Sequence, residues 1–393
     1  MTRALAHIRA RLVRRRRHRV GPSTGSVVQP LERFEPVGLK AALFVFDQPS
    51  AGARYRSEHQ AEQLRYLGAT LDVVQSAQLD LVAAVDHYEC FVLNRVQWTD
   101  EVAAFVERAR AVGKVVIFDT DDLVFEPSLE RYWAFLEGWP EENRRVQLAE
   151  FDRYRQTLEA CDGATVSTEP LRDYVRKRSA RVGVVFNSVS DEMVRLADEA
   201  LTRPRKTRSD VCIAYFSGTR THNRDFLEAA DAVLWALDTY PRTRFLVVGK
   251  LDLDERFGAF GQRVRKIPLQ HWRALPELLC ETDINLAPLE PENPVTECKS
   301  CVKYLEGGLV AVPTVASPKP DFIRATQHGQ TGVLTSGPAE WRDALRDLIE
   351  SPELRREIGA LAREDVRSNH TTRARARLLA ETLAEFGVSV SGE

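Results

Sequence analysis

Between residues 40 and 334, short apolar runs of strand length alternate with stretches of helical periodicity, and this alternation restricts the fold more than any other feature. The run Lys40-Ala-Ala-Leu-Phe-Val-Phe46 is almost continuously apolar, as suits a parallel strand buried on both faces. A small-residue loop, DQPSAGARYR, and a helix over 57–67 follow it, which is the opening of a βα unit. Further strands are expected at 70–74, 90–93, 114–118, 164–167 and 182–186. Helices are expected at 100–111 and 169–177, with helical segments across 128–160. The polar, basic stretch RPRKTRSD at 203–210 reads as a linker. The alternation then restarts, with strands at 211–216, 244–249, 284–288 and 332–334, helices at 225–237, 272–279 and 339–350, and more helix to the end. Such a pattern predicts an α/β fold with two doubly wound parallel sheets. Two halves of this kind leave a cleft between them, where small-molecule sites form. The expected division is 1–37 as basic tail and linker, 38–204 and 205–370 as the two domains, and 371–393 as a C-terminal helix for which a return to the first domain is one arrangement.

Charge narrows the function classes. The net charge of −2 does not suggest a nucleic-acid binder, yet residues 1–20 hold eight Arg and no acid. In that segment Leu5, Ile8 and Leu12 make a short helical stripe, open to two readings: a surface helix drawn to anionic lipid, or a disordered basic tail. It has no apolar core of signal-peptide length, so secretion is not expected, and no run of 18 apolar residues occurs. The six Cys form no even framework, so reduced cytoplasmic thiols are expected. Cys298 and Cys301 have CxxC spacing without a second pair, which favours buried small residues over a metal site.

Four stretches could carry chemistry. In Glu297–Ser317, ECKSCVKYLEGGLVAVPTVAS, helical spacing aligns Cys298, Val302, Leu305 and Leu309 on an apolar stripe, with Lys299, Lys303 and Glu306 on a neighbouring face. Gly307 and Gly308 are expected to weaken that helix before a buried strand over 310–315. The loop Ser217-Gly218-Thr219-Arg220-Thr221-His222 stands between a strand and a helix; its small residues, amides and cation suit a phosphate. Asp119, Asp121 and Asp122 directly follow a strand and leave three readings: a metal-binding DxD, an acidic loop hydrogen-bonded to a sugar, or helix capping and turn chemistry. Ser50, Gly52, Arg54 and Arg56 form a cationic first βα loop suited to a sugar or diphosphate. Neither half has GxGxxG, and no HExxH or Ser–His–Asp order is visible.

The second half resembles the C-terminal domain of the retaining GT-B glycosyltransferases of the bacterial group-one family. The matching stretches, in order, are IAYFSGTRTHNRDF, RFLVVG, ETDINLAPLE, ECKSCVKYLEGGLVAVPTVAS and the segment 329–334. The first half is similar more loosely, through YRSEHQAEQLRYLG, VVIFDTDDLVF, ATVSTEPL and VVFNSV. The resemblance implies the GT-B fold, two Rossmann-like doubly wound domains facing a central cleft. By the same resemblance Glu306 corresponds to the second Glu of the E-x7-E motif, which holds the donor's ribose hydroxyls. Lys299, Lys303, Ser217, Gly218, Thr219, Arg220 and His222 would line the diphosphate, and the backbone at 264–267 would meet the nucleobase. Asp119, Asp121 and Asp122 fall where relatives carry a catalytic-site His or Asp, and Gly52, Arg54 and Arg56 would stand at the acceptor or sugar loop. The first Glu of the motif would fall at Cys298; Glu297 is one residue early and must precede the helix to share the site.

The implied activity is transfer of a sugar from a nucleotide-diphosphate sugar to a hydroxyl of a glycan or lipid-linked acceptor. No metal and no cofactor is implied beyond the donor substrate. The expected setting is cytoplasmic, with contact to the inner face of the plasma membrane through residues 1–20 as one option. A GT-B sugar-nucleotide epimerase and a non-catalytic nucleotide-sugar-binding module are the alternatives.

Overall fold

The computed structural model describes residues 34, 40–203, 209–219 and 222–389. The basic segment at 1–20, most of the expected linkers at 21–37 and 203–210, and the loop residues Arg220 and Thr221 lie outside the described residues. From Phe34 onward the described chain forms one body with two lobes.

The first lobe is built on β1 (Lys40–Phe46), β2 (Leu71–Gln75), β3 (Tyr88–Asn94), β4 (Val115–Thr120), β5 (Gly163–Val166) and β6 (Val182–Val184). They form one sheet in the order β2-β1-β3-β4-β5-β6, every pairing parallel. Ala42 to Val45 of β1 are fully buried, because helices cover both faces of a parallel sheet. The second lobe uses β7 (Val211–Ser217), β8 (Thr243–Gly249), β9 (Val264–Ile267), β10 (Ile284–Ala287), β11 (Thr314–Ala316) and β12 (Val333–Leu334). Its order, β12-β11-β10-β7-β8-β9, is the Rossmann order. Strand order reverses between β1 and β3 in one lobe and between β7 and β10 in the other, and ligands of open α/β sheets bind outside the carboxyl ends at such points.

The chain crosses between lobes twice, side by side: Val189 and Thr371 form a parallel bridge. Beyond it, the helix Thr372–Ala384 returns to the first lobe, where Leu379, Leu383 and Phe386 pack with Ala42, Phe44 and Ala61. All six cysteines are free, Cys298 and Cys301 both buried. Among the described residues, no helix is long and apolar enough to cross a membrane.

Three expectations need correction. The span 128–160 opens with two 3₁₀ turns, and only Glu141–Ala160 is a regular helix. Strand β9 had no sequence signal because it lies at the sheet edge and exposes Arg265 and Lys266. The helix expected from Cys298 onward is broken: one short turn covers Pro294–Glu297, and the helix proper is Val302–Leu309. The residues between them are held from elsewhere: Thr168 Oγ1 donates to Cys298 O (3.0 Å), Asn187 Nδ2 to the Ser300 hydroxyl (2.9 Å), and Cys301 N to Asp321 Oδ2 (2.8 Å). Gly307 and Gly308, expected to weaken this helix, lie inside its last turn. A Cβ on Gly307 would lie 2.8 Å from Thr314 Oγ1, and one on Gly308 2.7 Å from Val366 Cγ2, so both let the helix nest against its neighbours.

Candidate active site

The second lobe supplies one wall of the cleft. At the end of β7, Ser217 Oγ lies 2.7 Å from Lys250 O and 3.0 Å from Thr219 O, which fixes the start of the loop. Gly249, at φ +106°, closes that corner, since a Cβ there would stand 2.0 Å from Ser217 O. Gly218 faces open space. Thr219 lines a cavity of about 520 Å³ with Lys250, Leu251, Asp252 and Lys266, at the carboxyl ends of β7, β8 and β9. Arg220, the cation expected in this loop, lies outside the described residues.

Next to this loop His222, Lys299 and Lys303 come together. His222 Nδ1 is 2.8 Å from Asp225 Oδ2, and the other Asp225 oxygen accepts from Glu290 N. Lys303 Nζ donates to Phe216 O (2.6 Å) and stands 5.3 Å from the Tyr215 ring centre. Burial lowers the His222 pKa; the Asp225 bond opposes this, and Lys303 and Lys299 push it lower still. Burial also lowers the Lys303 pKa, with Glu306 and Asp225 opposing and Lys299 adding to it. The ammonium groups of Lys299 and Lys303 repel each other there, a state that an anion relieves.

Glu306 lies one helical turn beyond Lys303. Burial raises its pKa, moderated by Arg54, Lys303 and a hydrogen bond from Tyr55. That bond, Tyr55 Oη to Glu306 Oε1 at 3.0 Å, crosses between the lobes.

The first lobe forms the facing wall. After β1, Ser50 caps a short helix by accepting from Ala53 N, and a π turn over Arg54–Glu58 follows. Such turns redirect side chains and recur at functional sites. Arg54 is only 9% exposed, stacks over Tyr55 and over Trp272 of the second lobe, and its Nε has no hydrogen-bond partner. Gly52 lies against Asp121, whose Oδ1 would be 3.1 Å from a Cβ at that position. Asp121 accepts from Arg95 Nη2 (2.5 Å), and Asp122 pairs with Lys299 across the cleft (2.8 Å). Burial would raise the Asp122 pKa, but Lys299 and Arg95 outweigh it and hold the carboxylate ionised.

Arg56 and Asp119 are not at the cleft, contrary to the sequence reading. Both are fully buried and form a bidentate pair, Arg56 Nε and Nη2 to the two Asp119 oxygens at 3.0 and 2.8 Å. Asp119 also accepts from Gln60, Asn94 and Thr165, so its carboxylate has no capacity left for a substrate. The acidic triplet therefore does not gather as a metal cradle: Asp119 is taken up by Arg56, while Arg95 and Lys299 engage Asp121 and Asp122. Glu297 ends the short turn before the helix and pairs with Lys319, away from the stripe of Lys303 and Glu306. Tyr55, Arg95, Asp225 and Trp272 belong to the cleft and were missed. Only Asp225, one turn after His222, had a spacing that could have revealed it.

A glycosyl transferase-like family model matches residues 220–381. The matched stretch covers most of the C-terminal lobe, less than half of the chain. The D-inositol 3-phosphate glycosyltransferase of Paenarthrobacter aurescens is 34% identical over 90 residues, 22% of this chain. The match spans about a fifth of that relative, 21% of its length. Two solved structures align with both lobes. The Anabaena protein HepE, solved with UDP and glucose, has a TM-score of 0.57 at 13% identity, covering 88% of this chain and 100% of its own. Sucrose-phosphate synthase of Thermosynechococcus elongatus has a TM-score of 0.59 at 14% identity, covering 88% and 99%. The two facing six-stranded lobes are the GT-B fold.

Proposed function

We propose that this protein transfers a sugar, with retention of configuration, from a nucleotide-diphosphate sugar to a hydroxyl of a glycan or lipid-linked acceptor. The donor lies against the second lobe and the acceptor against the first. The observation that carries the reading is the convergence of His222, Lys299 and Lys303 beside Glu306 at the mouth of the β7 loop.

As the bond from the sugar to the diphosphate breaks, negative charge builds on the leaving oxygens. Lys299 and Lys303, held in place beforehand, stabilise that charge more than they stabilise the intact donor. Glu306 accepts from the ribose hydroxyls, since a carboxylate offers about four lone-pair sites. The cavity lined by Thr219, Lys250 and Lys266 receives the base end of the nucleotide. Side-chain cations meet the diphosphate charge, so no metal is assigned a part. Lys299 leaves Asp122 for the phosphate when the donor enters, and Asp122 becomes free to accept from a sugar or acceptor hydroxyl. The eight Arg of residues 1–20 suit an acceptor carried at an anionic membrane surface.

The test is a panel of nucleotide sugars with product analysis. Slow release of free nucleotide diphosphate supports the transferase. Isomerised sugar without release would mark an epimerase, and binding without turnover a binding module. Lys303→Met should lower kcat by about 10²-fold with little change in KM, as for removal of one preorganised donor. Glu306→Ala should instead weaken nucleotide diphosphate binding, and wild-type affinity in that variant would remove Glu306 from the donor site.

A further inference from the structure

We infer that Tyr55 is a positioning residue for the donor nucleotide: from the first lobe it holds one oxygen of Glu306 and so orients the carboxylate that meets the ribose. This rests on the reading that Glu306 takes the ribose hydroxyls.

The two residues are 251 positions apart, and their bond of 3.0 Å joins the two lobes at the cleft. Tyr55 is 3% exposed and packs among residues of the second lobe, including Cys212, Ala214, Tyr304 and Leu305, although it follows β1 of the first. Its ring is held by two first-lobe side chains, one of which also reaches the second lobe. His59 meets it edge-on at 4.8 Å, and Arg54 stacks over it at 5.0 Å while lying 4.8 Å from the Trp272 ring.

A lone Glu has three side-chain torsions to fix before it can accept from two vicinal hydroxyls. The Tyr55 hydroxyl uses one lone pair of Oε1 and leaves Oε2, with the second lone pair of Oε1, for the ribose. Burial first, and the Glu306 charge second, keep the phenol protonated and therefore a donor. A residue that only filled space would place its ring here equally well without the hydroxyl. Tyr55→Phe tests that difference, because it retains the ring and removes one O–H.

The experiment measures binding of UDP, ADP and GDP, and of their 2′,3′-dideoxy forms, to the wild-type protein, Tyr55→Phe, Glu306→Ala and the double variant. For the nucleotides that bind, Tyr55→Phe should weaken the ribose form about tenfold, the scale of one hydrogen bond to a charged group, and leave the dideoxy form within about twofold. In the Glu306→Ala background the same change should have no further effect. Equal losses for both forms, or no loss for either, would overturn the role of Tyr55 while Glu306→Ala still erased the ribose preference. If Glu306→Ala left that preference intact, the ribose reading would fail, and the part given to Tyr55 with it.

Discussion

Asp119→Asn separates the two roles the sequence allowed for this residue. The carboxylate accepts five hydrogen bonds: two from Arg56 (3.0 and 2.8 Å), and one each from Gln60 (3.1 Å), Asn94 (3.0 Å) and Thr165 (2.7 Å). Asn keeps the volume but turns one acceptor into a donor facing other donors, and it leaves the Arg56 guanidinium charged, buried and unpaired. Breaking a buried pair from one side destabilises by about 3–5 kcal/mol. For a lobe of this size each kcal/mol moves Tm by about 2–4 °C, so a fall of roughly 6–20 °C is expected. The assay is thermal unfolding of the wild type, Asp119→Asn, Arg56→Met and the Arg56→Met/Asp119→Leu double variant. The double variant should lose less than the sum of Asp119→Asn and Arg56→Met, because no buried charge is stranded. Nucleotide binding, measured well below each Tm, should stay within about threefold, since Asp119 does not reach the cleft. A Tm within about 2 °C of wild type together with abolished turnover would refute the brace and return Asp119 to the chemistry.

His59 ties stability to pH. Burial is the main cause that lowers its pKa to about 4, against the bond from Nδ1 to Ser188 O. The unfolded chain binds the proton near pH 6.5, so this contribution is full above that pH and is lost as pH falls toward 4, about 3 kcal/mol in all. His59→Asn should flatten the rise of Tm between pH 4 and 6.5, and an unchanged slope would exclude His59 as its source. Phe386 packs so closely on Gly163 that a Cβ there would stand 2.3 Å from its ring. Phe386→Ala should therefore destabilise by about 3–5 kcal/mol, read by urea unfolding, although the residue lies far from the first lobe in sequence.

Eleven of the twelve strands were legible, most of them because a parallel strand covered on both faces must be a short apolar run. The exception, β9, shows the rule from the other side. At a sheet edge the pattern Val-Arg-Lys-Ile is allowed, and without an apolar run only the β8 pairing identifies it as a strand. The break at Cys298–Cys301 was illegible for a different reason. The periodicity there is good, but Thr168, Asn187 and Asp321 bind the intervening residues, and three tertiary hydrogen bonds outweigh a few tenths of a kcal/mol of helix propensity per residue.

The site was legible by residue type and not by direction. Arg54 and Arg56 stand two apart in one loop, yet the π turn sends Arg54 to the cleft and Arg56 to a fully buried ion pair. Asp119 lies on β4, opposite Asn94 of β3 and Thr165 of β5, so its direction follows the pleat; Asp121 and Asp122 lie past the strand end and are released from it. Glu297 illustrates how far spacing can be pressed. Its offset from Glu306 required that it precede the helix, and it does, in the turn Pro294–Glu297. Spacing could not say what it would meet there. Lys319, itself almost buried, pairs with it, and Cys298 at the motif's first position turns into an apolar cluster with Trp133 and Val295. Asp121, Asp122 and Glu297 thus each pair with a cation, whereas Glu306 is held by a neutral phenol. A carboxylate engaged by a cation has lone pairs already occupied, while one held by a single phenol keeps most of its lone pairs for a ligand. That difference in partners, set by Tyr55 from the opposite lobe, makes Glu306 the ribose acceptor in the proposed reaction.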